Sequence, residues 1–256
     1  MAESFGAALK RWRRIRRMSQ MDLAMAAAVS TRHVAFLETG RARPSRGMVL
    51  RLSEAFGAPL SYRNALLTAA GFAPAFSARA LSDAEMRPAR AAVAWMLERH
   101  APFPAFVLDG AWTLVDLNPP ADALFASVGL DIGDNLLEAL VANDALRGAI
   151  ENLDEVTAHL GARLRTESAH RGGDPLLDRA IERLTAGPAA TARDAASPPF
   201  TPTRYRIGDA TLALVSTIAQ FGAAEDIVLS NLRLELMFPA DEATDAFLRA
   251  LPVATR

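Results

Sequence analysis

Apolar residues recur along the first third of the chain at intervals of three and four. Within 4–17, Phe5, Ala8, Leu9, Trp12 and Ile15 follow this spacing with arginines elsewhere, which predicts a first helix. Ser19 stands before Leu23 and Ala24 and predicts an N-capped helix over about 20–27. Ser30 stands before Val34 and Leu37 and predicts another over about 31–38. The Ala28-Val29 connection between them allows only a tight turn between crossed helices. Gly40 suits the end of that helix. Val49, Leu50, Leu52 and Phe56 predict a fourth helix ended by Gly57; Ala65, Leu66 and Leu67 predict a fifth, capped by Ser61 and ended by Gly71. Five short capped helices in 75 residues make a compact all-α domain.

The rhythm breaks over 72–81, which reads as a linker. Ser82-Asp83-Ala84-Glu85 then has the capping-box pattern and opens a helix to about His100, with Pro88 near its start and Val93, Trp95, Met96 and Leu97 as apolar surface. Beyond it the pattern mixes periods. Phe103–Leu108 and Trp112–Leu117 are strand-like around Asp109-Gly110, a hairpin signal. Asn118-Pro119 starts a helix through Phe125, with Asn as cap and Pro at the first helical position. Residues 135–186 are mostly helical in pattern, broken at Gly172-Gly173-Asp174-Pro175, and 187–202 form a Pro-rich loop. Three strands follow, at about 203–207, 211–221 and 227–238. In the last, Leu232, Leu234, Leu236 and Phe238 alternate with Asn231, Arg233 and Glu235, which reads as one buried and one wet face. Two strands, several helices and three strands describe an α+β domain: an antiparallel sheet with helices gathered on one face. The expected organisation is therefore 1–75, a connecting segment 76–101, and 102–256.

Charge sharpens this division. The net charge of the 256 residues is −1. Residues 1–75 hold twelve Lys/Arg against four Asp/Glu, a net of +8, and the remainder holds sixteen against twenty-five, a net of −9. A basic first third favours a polyanion, since each phosphate contacted releases counterions; a solvated basic face without a partner is the plainer alternative. The absence of cysteine excludes disulfides and thiol catalysis. No apolar run has membrane-spanning length and the N-terminus opens on Glu3 and a charged amphipathic stretch, so the expectation is a cytoplasmic protein without membrane contact. His33, His100, His159 and His170 are scattered without metal spacing. No Ser-His-Asp order or phosphate-cradling glycine loop stands out, so neither enzymatic activity, metal nor cofactor is expected.

The stretches Ser19-Gln20-Met21-Asp22-Leu23-Ala24, Val29-Ser30-Thr31-Arg32-His33-Val34 and Leu37-Glu38-Thr39-Gly40-Arg41-Ala42-Arg43-Pro44-Ser45 resemble the XRE family of lambda-repressor-like helix-turn-helix regulators over roughly residues 5–71. The resemblance implies that the helix beginning after Ser30 enters the major groove of double-stranded DNA. Thr31 and Arg32 would reach base edges, with Arg32 suited to guanine. His33 lies further along, and Phe36 would touch a thymine methyl or pack in the core. Gln20 would bond a phosphate and brace the recognition helix. Arg41, Arg43 and Ser45 would hold phosphates. Arg13, Arg14, Arg16 and Arg17 read as a solvated face or as longer-range phosphate contacts. Glu38, at a helix C-terminus, should have a cationic partner among the arginines of the first helix. Ala28 departs from the family's usual turn glycine; at positive φ it would cost about 1 kcal/mol.

Residues 103–245 are similar to the PAS-like ligand-binding domain of MmyB-type regulators. The likeness rests on Pro104-Ala105-Phe106-Val107-Leu108-Asp109, Trp112 with Asn118, and Leu232-Arg233-Leu234-Glu235 leading to Phe238-Pro239-Ala240-Asp241-Glu242-Ala243-Thr244. It implies a sensor for a fatty acid or similar amphiphile. Phe103, Phe106, Trp112, Leu114, Phe125, Leu137, Val141, Leu214, Ile218, Leu234 and Leu236 would line a cavity, or fill an ordinary core. Arg163, Arg165, Arg204, Tyr205 and Arg206 are the candidates for a carboxylate; the sequence does not choose among them. Asn118 reads as a helix cap first. The expected protein is a homodimeric, ligand-responsive DNA-binding regulator. The alternative is a DNA-binding regulator whose second domain is a protein-interaction or dimerisation module without ligand.

Overall fold

A computed structural model describes residues 3–186, 200–222 and 224–251. The chain divides into two compact units. One holds Met1–Ala78 with Thr166–Asp174 and Glu225–Ile227; the other holds Arg79–Arg165, Pro175–Ala224 and Val228–Arg256.

In the first unit the periodic segments form α1 (Phe5–Ile15), α2 (Gln20–Ala26), α3 (Thr31–Glu38), α4 (Arg46–Ala55) and α5 (Leu60–Ala69). Side chains of Ser4, Ser19, Ser30 and Ser45 cap the first four by accepting a backbone N–H of the opening turn. At Ser19 the cap is reciprocal, because Asp22 accepts the Ser19 N–H at 2.7 Å. The fifth helix differs from expectation: Pro59, not Ser61, holds the cap position, and no side chain caps it. Proline's ring fixes φ ahead of the helix but offers no side-chain acceptor, so the opening N–H groups of this helix have no side-chain cap. Leu9, Trp12, Leu23, Val34, Leu37, Val49, Leu52, Leu66 and Leu67 meet in one core.

Two backbone positions fix how these helices meet. A Cβ at Gly6 would lie 2.6 Å from the Leu37 carbonyl oxygen and 2.7 Å from that of Glu38, so only glycine lets α1 approach the end of α3. Ala28, in the turn between α2 and α3, has φ 52°, the left-handed conformation that the missing glycine would have taken freely.

In the second unit a 3-10 turn (Ala84–Met86) leads into α6 (Arg87–His100). Ser82 does not cap it. Asp83 instead accepts the Ala80 N–H at 3.0 Å, and no side chain caps α6 itself. β1 (Ala105–Leu108) and β2 (Leu114–Leu117) are joined by a five-residue loop, longer than the two-residue turn that Asp-Gly signals. The Asp109 carboxylate gathers the N–H groups of Ala111 (2.8 Å) and Thr113 (2.9 Å) and holds that loop. There follow α7 (Pro119–Ala126), α8 (Leu136–Ala142), α9 (Asp144–Ala149), α10 (Leu153–Arg171) and α11 (Pro175–Leu184), then β3 (Thr203–Ile207) and β4 (Ala210–Gln220). The loop expected at 187–202 lies outside the described residues over 187–199.

The strand expected over 227–238 divides: Ile227–Asn231 is a helical turn, α12, and only β5 (Arg233–Pro239) is extended, followed by α13 (Glu242–Ala250). A short apolar run such as 227–229 carries no period that separates strand from helix. The five strands form one antiparallel sheet in the order β2-β1-β5-β4-β3, so the late β5 lies beside the early β1, Val107 opposite Leu234.

Both faces of this sheet are covered. Helices α7 to α11 and α13 contribute to a core with Phe106, Leu108, Leu212, Leu214 and Met237. On the opposite face α6 lays Val93 and Leu97 against Ala105, Val107, Leu232 and Leu234. Asn118 ties three of these elements together. Its Oδ1 accepts Ala105 N–H (2.8 Å) and Ala121 N–H (3.1 Å), and its Nδ2 donates to the carbonyls of Leu97 (3.2 Å) and Phe103 (2.8 Å). It is the helix cap of α7 and also the pin between α6 and β1.

Candidate nucleic-acid interface and ligand site

The turn at Ala28 projects α3 from the first unit. Thr31 and Arg32, at its N-terminal end, are exposed. The Arg32 guanidinium lies 5.1 Å from the Phe36 ring centroid, and Phe36 is half-buried beneath it, outside the domain's core. His33 is half-buried and its backbone N–H is taken by Ser30 Oγ at 3.2 Å. Ser45 Oγ is similarly engaged by Met48 N–H, which leaves the hydrogen of each serine hydroxyl to donate outward. Arg41 and Arg43 follow α3 on an exposed turn, with no side-chain partner among the described residues.

Behind this surface lies a closed brace. Arg13 Nε donates to Glu38 Oε1 at 2.6 Å, and its NH2 group to Oε2 at 3.1 Å; Gln20 Nε2 donates to the same Oε2 at 2.8 Å. Arg13 also donates to the Met18 carbonyl at 2.8 Å. Glu38 thus has its cationic partner in α1, and Gln20 braces the end of the recognition helix through that carboxylate. Burial pushes the Glu38 carboxyl up, but the hydrogen bonds of Arg13 and Gln20 and the charges of Arg13 and Lys10 outweigh it and hold it below the usual range. Arg13 is therefore committed to the brace, and Arg16 to the Gly57 carbonyl at 3.0 Å.

In the second unit Phe106, Trp112, Leu114, Phe125, Leu137 and Leu214 are brought together in the helix-side core, with Phe103, Val141 and Tyr205 partly buried against it. Four expected members are elsewhere. Leu234, like Leu236, points to the opposite face beside α6, Ile218 is 44% exposed, and Arg204 is turned outward. Strand parity explains Leu234, Leu236 and Arg204, and the limit of the helical cover explains Ile218. The residues of β5 that face the helices are 233, 235 and 237; β3 turns Tyr205 and Ile207 inward and its arginines out; and Ile218 has the inward parity but lies beyond the helical cover.

Sequence reasoning missed the consequence of that parity. Arg233 and Glu235, read as the wet face, are 3% and 4% exposed. Glu235 receives Arg163 NH2 at 2.6 Å and the Ser216 hydroxyl at 2.5 Å. The guanidinium groups of Arg163 and Arg233 each lie 4.8 Å from the Trp112 ring centroid. Burial, reinforced by the Glu235 charge, pushes the Tyr205 hydroxyl up to about 12. Trp112 itself has φ 68°, rare for a bulky side chain. Its indole N–H is buried and has no partner among the described residues. The only signal available in sequence was two opposite charges within an otherwise apolar strand. The apolar packing near Phe125 and Tyr205 leaves a cavity of about 10 Å³, the space of one water molecule.

A helical unit that exposes the start of one helix beside arginines without partners among the described residues, and a sheet unit that buries a charged cluster, are the arrangement in which two family models place a DNA-binding domain and a ligand-binding domain of a transcription regulator. Residues 4–66 match the model of a helix-turn-helix domain, and residues 89–251 match that of the MmyB-like transcription regulator ligand binding domain. The second match spans more than half of the chain, which belongs to that family. No curated protein matches it. Among the described residues no helix is long and apolar enough to cross a membrane, and no group of three or more metal-ligating side chains gathers.

Proposed function

We propose that this regulator senses a fatty acid or similar amphiphile, that the carboxylate is received by the cluster around Trp112, and that the protein acts without catalysis as a homodimer on paired half-sites. The observation that carries the ligand reading is the buried, unpartnered indole N–H of Trp112 set among two guanidinium groups. An unmade buried hydrogen bond costs about 1–3 kcal/mol, which a carboxylate oxygen would recover. The apolar residues beside it suit an acyl chain. Their close packing means that the loaded state differs from this one by a parting of the core, and unequal binding to two states is what a switch requires.

On the DNA side, Arg32 and Thr31 read base edges, with His33 and Phe36 behind them, while Arg41, Arg43, Ser45 and Ser30 hold phosphates and Gln20 acts through Glu38. The exposure of Arg32, Arg41 and Arg43 supports these roles.

Solvent extraction of the purified full chain followed by mass spectrometry tests the ligand. Fatty acids recovered in near-stoichiometric amount are expected. Titration of the stripped chain with myristate should then show binding that Trp112→Phe weakens about tenfold while the fold is kept, as expected for one lost charge-assisted hydrogen bond. An extract free of amphiphiles, with no myristate binding by the stripped chain, would refute the reading.

A further inference from the structure

The sheet's other face carries a different opening. From its middle onward α6 is seated, with Val93 and Leu97 buried against Val107 and Leu234. Beside these two residues the helix has only small side chains at the cleft, Ala89 in its first turn and the exposed Ala94, and a cleft of about 390 Å³ remains. Val107, Val115 and Leu232 form the apolar floor, and Leu81 and Ser82 line the other side. Arg90 holds that segment in place by donating to the carbonyls of Leu81 and Asp83. The volume falls in the range of about 300–1,000 Å³ typical of small-molecule sites.

The polar groups of the cleft limit what fits. Asp116 spends one carboxylate oxygen on the Leu117 N–H at 2.9 Å; the other has no partner among the described residues, and neither has the Ser82 hydroxyl. Arg90 and Asp116 present one charge of each sign. An acid or an amine would gain one opposite charge here only by facing a like charge in the same cleft. A neutral hydroxyl can donate to the free Asp116 oxygen and accept from Ser82 without burying a net charge.

We propose that this cleft is a second effector site, for a small neutral molecule with an apolar body and one hydroxyl group. It is independent of the acyl-chain reading, since it lies on the opposite face of the sheet from Trp112. Filling it sets how closely the first turns of α6 approach β1 and β2.

The test uses the full chain with 1-octanol, octanoate and octylamine, read by ligand-observed NMR. Octanol is expected to bind, and neither octanoate nor octylamine is expected to displace it at equal concentration. Ala94→Leu, at an exposed position that narrows the cleft, should weaken octanol about tenfold; Asp116→Asn should also weaken it, and Trp112→Phe should not. Absence of octanol binding, displacement by octanoate, or an affinity unmoved by both Ala94→Leu and Asp116→Asn would overturn the proposal.

Discussion

Each compact unit holds an Arg–Glu pair at 2.6 Å with a buried carboxylate, Arg13–Glu38 in the first and Arg163–Glu235 in the second. The chemistry is the same and the surroundings are not. Glu38 is 2% exposed, and its oxygens receive two donors from Arg13 and one from Gln20, so every charged group is spent on joining α1, α2 and α3. Arg163 is 28% exposed and lies over an indole whose own N–H is unspent. A closed pair fixes a frame; an open one leaves donors for a ligand. The helical unit therefore spends its buried charges behind an exposed helix end, and the sheet unit keeps an unspent indole N–H inside.

Substitution of the two carboxylates breaks or sharpens this contrast most strongly. Glu38→Ala strands a buried guanidinium and should cost about 3–5 kcal/mol in denaturant unfolding. Glu235→Ala should cost less, about 1–3 kcal/mol, because Arg163 reaches water. Equal losses would remove the distinction. The same brace predicts acid sensitivity of the first unit. Glu38's folded pKa is lowered, so its stabilisation is complete above the unfolded value of about 4.3 and is lost as pH falls through the folded one. Flat stability across that range would contradict it.

Next in size is Gly6→Ala, which pushes a methyl group into two carbonyl oxygens at the α1–α3 contact and should cost about 1–3 kcal/mol. A neutral result would show that the helices can part there without penalty.

The two tyrosines, Tyr62 in the helical unit and Tyr205 in the sheet unit, offer a comparison by alkaline titration. Burial pushes both up to about 12, against Arg11 at Tyr62 and with Glu235 at Tyr205. Phenolate absorbance of the folded chain should therefore be absent near the ordinary value of 10.0. Because the native state keeps protons that the unfolded chain loses, stability should fall as pH rises from 10.0 to about 12. A phenolate transition of the folded chain centred near 10.0 would contradict the burial of at least one ring.

The smallest effect is expected at Ala28. Glycine takes φ 52° freely and the position is exposed, so Ala28→Gly should stabilise the first unit by about 1 kcal/mol. A lower melting temperature would show that alanine's conformation carries no strain.

The two units also differ in how far they can be read from sequence. Helices of the first are written locally: Ser19, Ser30 and Ser45 each precede an apolar period, and the boundaries follow. What escaped there is non-local, such as the carbonyl oxygens that demand glycine at position 6 and the choice of Arg13 among neighbouring arginines. In the second unit the alternation of β5 correctly gave two faces. It misassigned Arg233 and Glu235 because a wet face presumes a sheet covered on one side only, and α6 covers the other. The Trp112 loop carried an Asp-Gly signal that fixed its place but neither its length nor the indole's orientation. Those depend on Asp109 gathering Ala111 and Thr113.

Fluorescence anisotropy of the full chain on a duplex selected from a random pool, with ligand retained and after solvent stripping, tests the account most directly. It predicts salt-sensitive binding, lost or relaxed in Arg32→Ala, whose affinity differs about tenfold or more between loaded and stripped protein. Identical affinity in both forms, or no salt-dependent binding to any duplex, would contradict it.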